Sequence, residues 1–246
     1  MLATTAAKID SGLFRNPNRD TFANLQGIKK PEPDELTCPR PDWWWTGKPP
    51  AECPGFVDGH LTSLPLPDLS AKGSRQDILD YFDNTWTLTE VLFSGLQGED
   101  VFKRSPWHQL RHPMIFYYGH TAVVYVNKLR VAGLIPEPMD RYLEEIMETG
   151  VDEMSWDDLG KNDMEWPSVR RVTEYRRAVY RAVRAVIEGS SWSLPIRYGE
   201  AAWAVAMGLE HERIHLETSS VLIRELPLHL VAPPPHFPAP HPSSAA

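Results

Sequence analysis

The stretch Glu210-His211-Glu212-Arg213-Ile214-His215-Leu216-Glu217 carries two histidines at i and i+4. A helix turns by about 100° per residue, so these imidazoles would lie about 40° apart, one turn above the other, and could share one metal ion. The surrounding segment favours that helix: Glu200 to Glu225 contains no proline and is dominated by Ala, Leu, Glu, Met and Arg. Ala204, Met207 and Thr218 fall on the histidine side. The same residues satisfy the H-E-x-x-H pattern of zinc proteases, in which the Glu is general base. That chemistry needs a third ligand further along, but only 31 residues follow His215 and the only acid beyond Glu217 is Glu225. Thr218 stands where the extended protease pattern has glycine. A peptidase is therefore disfavoured. Glu217, about 200° around the helix from His215, cannot share its metal, and its position beside Arg213 and Glu210 predicts an ion pair or an outer contact.

A pair of histidines leaves a divalent ion short of ligands, and helix bundles complete such sites from facing helices. Among the nine histidines, His60, His229, His236 and His241 lie in proline-rich flanks, His108 precedes a helix, and His112 stands just before Pro113. His120 alone falls in mid-helix, next to Gly119, which would let another helix approach closely. Three neutral imidazoles with open positions suit iron(II), zinc or copper. On spacing alone, a bundle whose histidines are merely solvated or capped is the competing reading.

The elements that must position these residues are separated by proline. Ten of the 23 prolines precede residue 70, seven follow Leu226, and the other six fall outside the helix interiors. Residues 1–73, with the run Trp43-Trp44-Trp45, read as an irregular extension. At Ser74 a capping residue precedes an acid at Asp77, and Ile78, Leu79, Phe82, Trp86, Leu92 and Phe93 follow at helical spacing, giving a helix to about Leu96. Pro113 opens a second helix through Val131, on which Phe116, His120, Val124 and Asn127 share a face. A shorter helix carries Tyr142, Leu143, Ile146 and Met147 and stops at Gly150. The acidic loop Gly150 to Asp158 is either surface chain or a wall of the site. Pro167 starts a helix to Glu188 with Val169, Val172, Val179, Val183 and Val186 inside, and Arg170, Arg177, Arg181 and Arg184 on a solvated face. With the Glu200–Glu225 helix, the expected fold is all-α: a four-helix bundle over 74–230, followed by a Pro-, Ser- and Ala-rich tail over 231–246.

Composition narrows the function classes. The 246 residues are 42% hydrophobic and 24% charged, with 25 basic against 33 acidic side chains and a net charge of −8. No nucleic-acid partner is expected. No apolar run reaches the ~20 residues of a membrane span, and residues 1–20 lack the apolar core of a secretory signal, so the expected location is cytoplasmic, with no membrane partner. Cys38 and Cys53 lie fifteen apart among prolines and are expected to be free thiols.

Three segments together resemble a known family: His112-Pro113-Met114-Ile115-Phe116-Tyr117-Tyr118-Gly119-His120-Thr121, the loop Gly150 to Asp158, and Gly208 to Ser220 with its two histidines. They look like the N-terminal DinB-like domain of 5-histidylcysteine sulfoxide synthase, the enzyme that begins ovothiol biosynthesis, over roughly Ser74 to Val231. The resemblance implies an iron(II) site of His120, His211 and His215 that activates O₂ and couples the sulfur of cysteine to the ring of histidine. It assigns no catalytic residue in this chain. Members of that family continue into a C-terminal domain resembling formylglycine-generating enzyme, where this chain has its Pro-rich tail. The expectation is a metal-binding half, incomplete for catalysis unless a separate C-terminal domain acts in trans. Two alternatives stand beside it: a stand-alone DinB-like metal-dependent thiol transferase, and a structural bundle without catalysis.

Overall fold

The side-chain oxygen of Ser74 accepts a hydrogen bond from the Asp77 backbone N–H at 3.1 Å. This satisfies one of the orphan donors at a helix start, and α1 runs Arg75–Phe93 behind it. The computed structural model describes residues 48–104, 111–148, 165–189 and 192–237, with 46, 107 and 243. Within them follow α2 (Asp100–Lys103), α3 (Met114–Val131), α4 (Arg141–Ile146), α5 (Val169–Gly189) and α6 (Trp203–Ile223). Asp140 caps α4 by accepting from Leu143 N–H at 3.1 Å, and Ser168 accepts from Arg171 N–H at 3.2 Å at the start of α5. The fold is all-α, as expected. The expected acidic loop Gly150 to Asp158, the Trp43-Trp44-Trp45 run and Cys38 lie outside the described residues.

Helix α3 packs mainly against α5 and α6, and α1 packs mainly against the same two. Helices α1 and α3 therefore face each other across one diagonal of the bundle, with α5 and α6 on the other. Aromatic rings fill the middle: Phe82 stacks on Tyr180 at 5.3 Å and meets Tyr125 edge-on at 5.7 Å, and Trp86 packs against both tyrosines. Where the four helices meet, the Arg176 guanidinium is fully buried. It donates to Glu90 Oε1 at 2.7 Å, to the Tyr118 carbonyl and to Thr121 Oγ1, and lies 3.5 Å from Glu212 Oε1. Tyr118 donates to Glu90 Oε2, and Thr89 and Tyr125 donate to the two Glu212 oxygens. Three ionisable groups can occupy a dry core only because nearly every polar atom there has a partner.

Several surface and flank expectations need correction. Arg184 is not simply solvated; it is two-thirds buried and binds both carboxylate oxygens of Asp83, at 2.9 and 2.7 Å. The extension is not wholly irregular. A 3₁₀ turn at Pro50–Glu52 leads into a hairpin of β1 (Phe56–Val57) and β2 (His60–Leu61). Buried Asn84 on α1 holds this segment by donating to the carbonyls of Pro54 and Thr62 and accepting from Leu64 N–H. The tail expected from residue 231 also engages the body: Ala232 N–H donates to the Gly95 carbonyl and Leu61 N–H to the His236 carbonyl. Phe237 packs on a small cluster of Cys53, Leu61, Leu88 and Val91. Short strands and proline-rich turns carry little periodicity of their own; their structure comes from docking on α1. Cys53 is a buried free thiol that donates to Thr87 Oγ1 at 3.3 Å, and burial pushes its pKa up to about 11.

Candidate metal centre

The histidine face of α6 turns toward α3. His211 and His215 stand one turn apart on α6 with ring centroids 4.4 Å from each other, and His120 of α3 lies 5.1 Å from the first and 4.6 Å from the second. Each ring offers a nitrogen, and the three nitrogens all lie within 4.8 Å of one another. The three histidines singled out in the sequence are brought together. His112 stays outside the group: its ring packs at 4.2 Å on Phe116, which in turn stacks on His120 at 4.8 Å.

His120 is held in one orientation. Its Nδ1 lies 2.6 Å from the Met147 carbonyl at the end of α4. A carbonyl only accepts, so Nδ1 carries the proton and Nε2 is left bare toward the other two rings. Gly119 makes that contact possible, because a Cβ there would fall on the Met147 thioether and crowd Val172 of α5. This is the close approach anticipated from the glycine beside His120.

Burial holds all three imidazoles neutral. It is the largest cause in each case, lowering His211 to about 3 and His215 to about 4 from the ordinary 6.5, and holding His120 well below that value. Mutual repulsion adds to the shift at His120 and at His211, where the Lys128 charge contributes as well. The Nδ1 atoms of His211 and His215 are buried and have no hydrogen-bond partner among the described residues. Buried polar atoms left without partners are costly. Three neutral rings whose nitrogens lie within 4.8 Å of one another, two of them with an unsatisfied Nδ1 and the third with its tautomer fixed by a backbone carbonyl, meet the requirements of a divalent transition metal.

The acid inside the pattern does not belong to this site. Glu212 is fully buried on the other side of α6, held by Thr89 and Tyr125 and facing Arg176; burial raises its pKa. Gly208 admits the Tyr125 ring, which a Cβ there would meet at 2.5 Å. The expected contact of Glu217 with Arg213 or Glu210 is not made. Arg213 instead donates to Thr85 Oγ1, Asn84 Oδ1 and Ser63 Oγ at 2.7 to 2.8 Å and lies over the Tyr81 ring, and Glu210 accepts from the Tyr81 hydroxyl at 2.7 Å. Part-buried partners on α1 outcompete an exposed local pair, which is worth only a few tenths of a kcal/mol.

Arg176 was the functional-looking residue that the sequence reading missed. It stands on the apolar stripe of α5, four residues after Val172 and three before Val179, and a charge at such a position signals a buried partner. No helix of the described residues is long and apolar enough to cross a membrane. In comparisons with known proteins, no curated protein matches the chain. The DinB superfamily matches over residues 81–219, a span that runs from α1 to α6, contains all three histidines and covers more than half of the chain. This chain therefore belongs to the DinB superfamily.

Proposed function

We propose that His120, His211 and His215 hold one iron(II) ion, and that the chain is the metal-binding bundle of an O₂-dependent system joining the sulfur of cysteine to the ring of histidine, as in 5-histidylcysteine sulfoxide synthase. The observation that carries the metal reading is the convergence of three neutral imidazoles, two of them with an unsatisfied nitrogen. The oxidative reading adds to it the resemblance of the segments His112 to Thr121 and Gly208 to Ser220. Bound iron would supply O₂ activation. The residues of this chain would supply the rest of the centre: the Met147 carbonyl orients His120, the aromatic stack of His112 and Phe116 shields one side of that ring, and the core network anchors the helices behind the ligands. Three protein ligands leave coordination positions open for small molecules.

The test is metal content followed by turnover. Anaerobically purified protein should retain about one iron(II), and His120→Ala, His211→Ala or His215→Ala should each abolish tight binding. Unchanged iron content in the His120→Ala protein would overturn the ligand set. Given cysteine and histidine, the iron-loaded chain, alone or with a separately expressed C-terminal domain, should consume O₂ and form the sulfoxide. Loading without O₂ consumption in either case would instead favour metal-dependent thiol transfer.

A further inference from the structure

We propose that the groove between the C-terminal half of α3 and the N-terminal half of α6 is the ligand compartment of the metal centre, and that it takes a small carboxylate with an apolar body. The proposal rests on the reading of the histidine triad as a metal site.

A cavity of 420 Å³ lies there, within the range of small-molecule sites. Its walls are Val131 and Pro136 on one side and Trp203 and Met207 on the other. At its mouth Tyr198, three-quarters exposed, meets Trp203 edge-on at 5.8 Å. Exposed aromatic surface of this kind around a cavity is what an apolar ligand body would cover. The three histidines do not themselves line the cavity, which lies further along the same faces of both helices: Met207 stands one turn before His211 on α6, and Asn127 two turns beyond His120 on α3. The distance along either helix is therefore about 6 to 10 Å, the reach of a short ligand.

The charges at the triad end decide the ligand's head group. Lys128 lines the cavity and is close enough for its charge to be felt at His211. Glu148 lines it too, directly after the residue whose carbonyl holds His120. Arg130 faces Glu144 at 3.6 Å, so those two largely offset each other. Two carboxylates line the cavity: Glu200, which lies 3.9 Å from Arg197, and Glu148, whose charge Lys128 matches in number, so the two charges of a divalent ion on three neutral imidazoles are left in excess. An anion that is also a metal ligand is favoured there, and a carboxylate is both.

The probe is 3-phenylpropionate, titrated calorimetrically into cobalt(II)-loaded and metal-free protein, with 3-phenylpropanamide as its uncharged counterpart. The acid should bind both forms, about tenfold or more tightly when cobalt is present, and should perturb the visible cobalt spectrum. The amide should bind at least tenfold more weakly than the acid. Ala204→Trp fills the cavity and should abolish binding while one cobalt is still loaded. Ala201→Trp, at an exposed cavity position, should do the same without burdening the fold. Equal affinity for acid and amide, or binding unaffected in a folded Ala201→Trp protein, overturns the proposal. Failure of cobalt to load would overturn the metal reading instead, while the metal-free titration would still report on the groove.

Discussion

The Tyr125 hydroxyl donates to Glu212 Oε2 at 3.1 Å, inside the bundle and away from the histidines that flank Glu212 in sequence. The helix thus divides a motif that looks like one catalytic unit. His211 and His215 turn toward α3, and the acid between them joins the core network of Arg176 and Glu90. The order of residue types is that of a peptidase; their side-chain directions are not.

Glu212→Gln should therefore leave metal stoichiometry unchanged while lowering stability. The amide keeps the shape and can still meet Thr89 and Tyr125, but it removes a charge facing Arg176, a loss of about 1–3 kcal/mol. Urea denaturation and metal analysis on the same preparation give both readings. Peptidase activity that depends on Glu212 would contradict this placement.

Arg176→Met should be far more damaging, because Glu90 and Glu212 would be left facing each other in the core without a cation. Removing one partner of a buried ionic group costs about 3–5 kcal/mol. If electrostatics rather than lost volume is the cause, adding Glu90→Gln and Glu212→Gln to the Arg176→Met protein should recover stability relative to the single variant. A triple variant no more stable than the single one would assign the loss to packing against Trp86 and Tyr118, over whose rings the guanidinium lies at 4.3 and 4.9 Å.

Legibility in the sequence followed periodicity. The long helices announced themselves through apolar spacing and caps, down to the roles of Ser74 and Pro113, and the three converging histidines through an i, i+4 pair and one mid-helix histidine beside a glycine. Arg176 was hidden because its neighbours on α5 are arginines that do face solvent; only its place on the valine stripe sets it apart. Glu217 was misjudged because helical geometry shows which residues are neighbours on one helix but not which other helix offers Arg213 better partners. The hairpin at Phe56 to Leu61 and the docking of residues 231–237 left no periodic trace, since their order comes from Asn84, Gly55 and Gly95, where backbones meet closely.

Gly208→Ala should separate the core network from the metal site by degrees. A Cβ at 208 would meet the Tyr125 ring at 2.5 Å, and that ring is pinned by its hydrogen bond to Glu212. Overpacking of this kind costs about 1–3 kcal/mol. Gly208 lies on the same helix as both histidines, three residues before His211, so a shift of α6 to relieve the clash should also weaken metal affinity. Wild-type stability in Gly208→Ala would show that Tyr125 moves freely, and the rigid anchoring of α6 would have to be abandoned.

Acid should destabilise the metal-free protein through the histidines themselves. Their folded pKa values lie below the ordinary 6.5, at about 3 for His211 and about 4 for His215, so between these values the unfolded chain binds protons that the folded chain refuses. Stability therefore rises with pH across that window, is complete above about 6.5, and is lost as the pH falls toward 4. Each such histidine adds a slope of about 1.4 kcal/mol per pH unit. Buried Glu212, with its pKa raised, contributes in the opposite sense, since its stabilising protonated form is lost as pH rises. The clean measurement is thus a difference: unfolding free energies of chelator-treated wild type and His211→Gln at pH 6.5 and pH 4.5. The variant should lose about 2–3 kcal/mol less than wild type over those two units. Parallel pH dependences would mean that His211 is already charged or fully solvated in the folded protein, and the neutral triad on which the proposed metal binding rests would not exist.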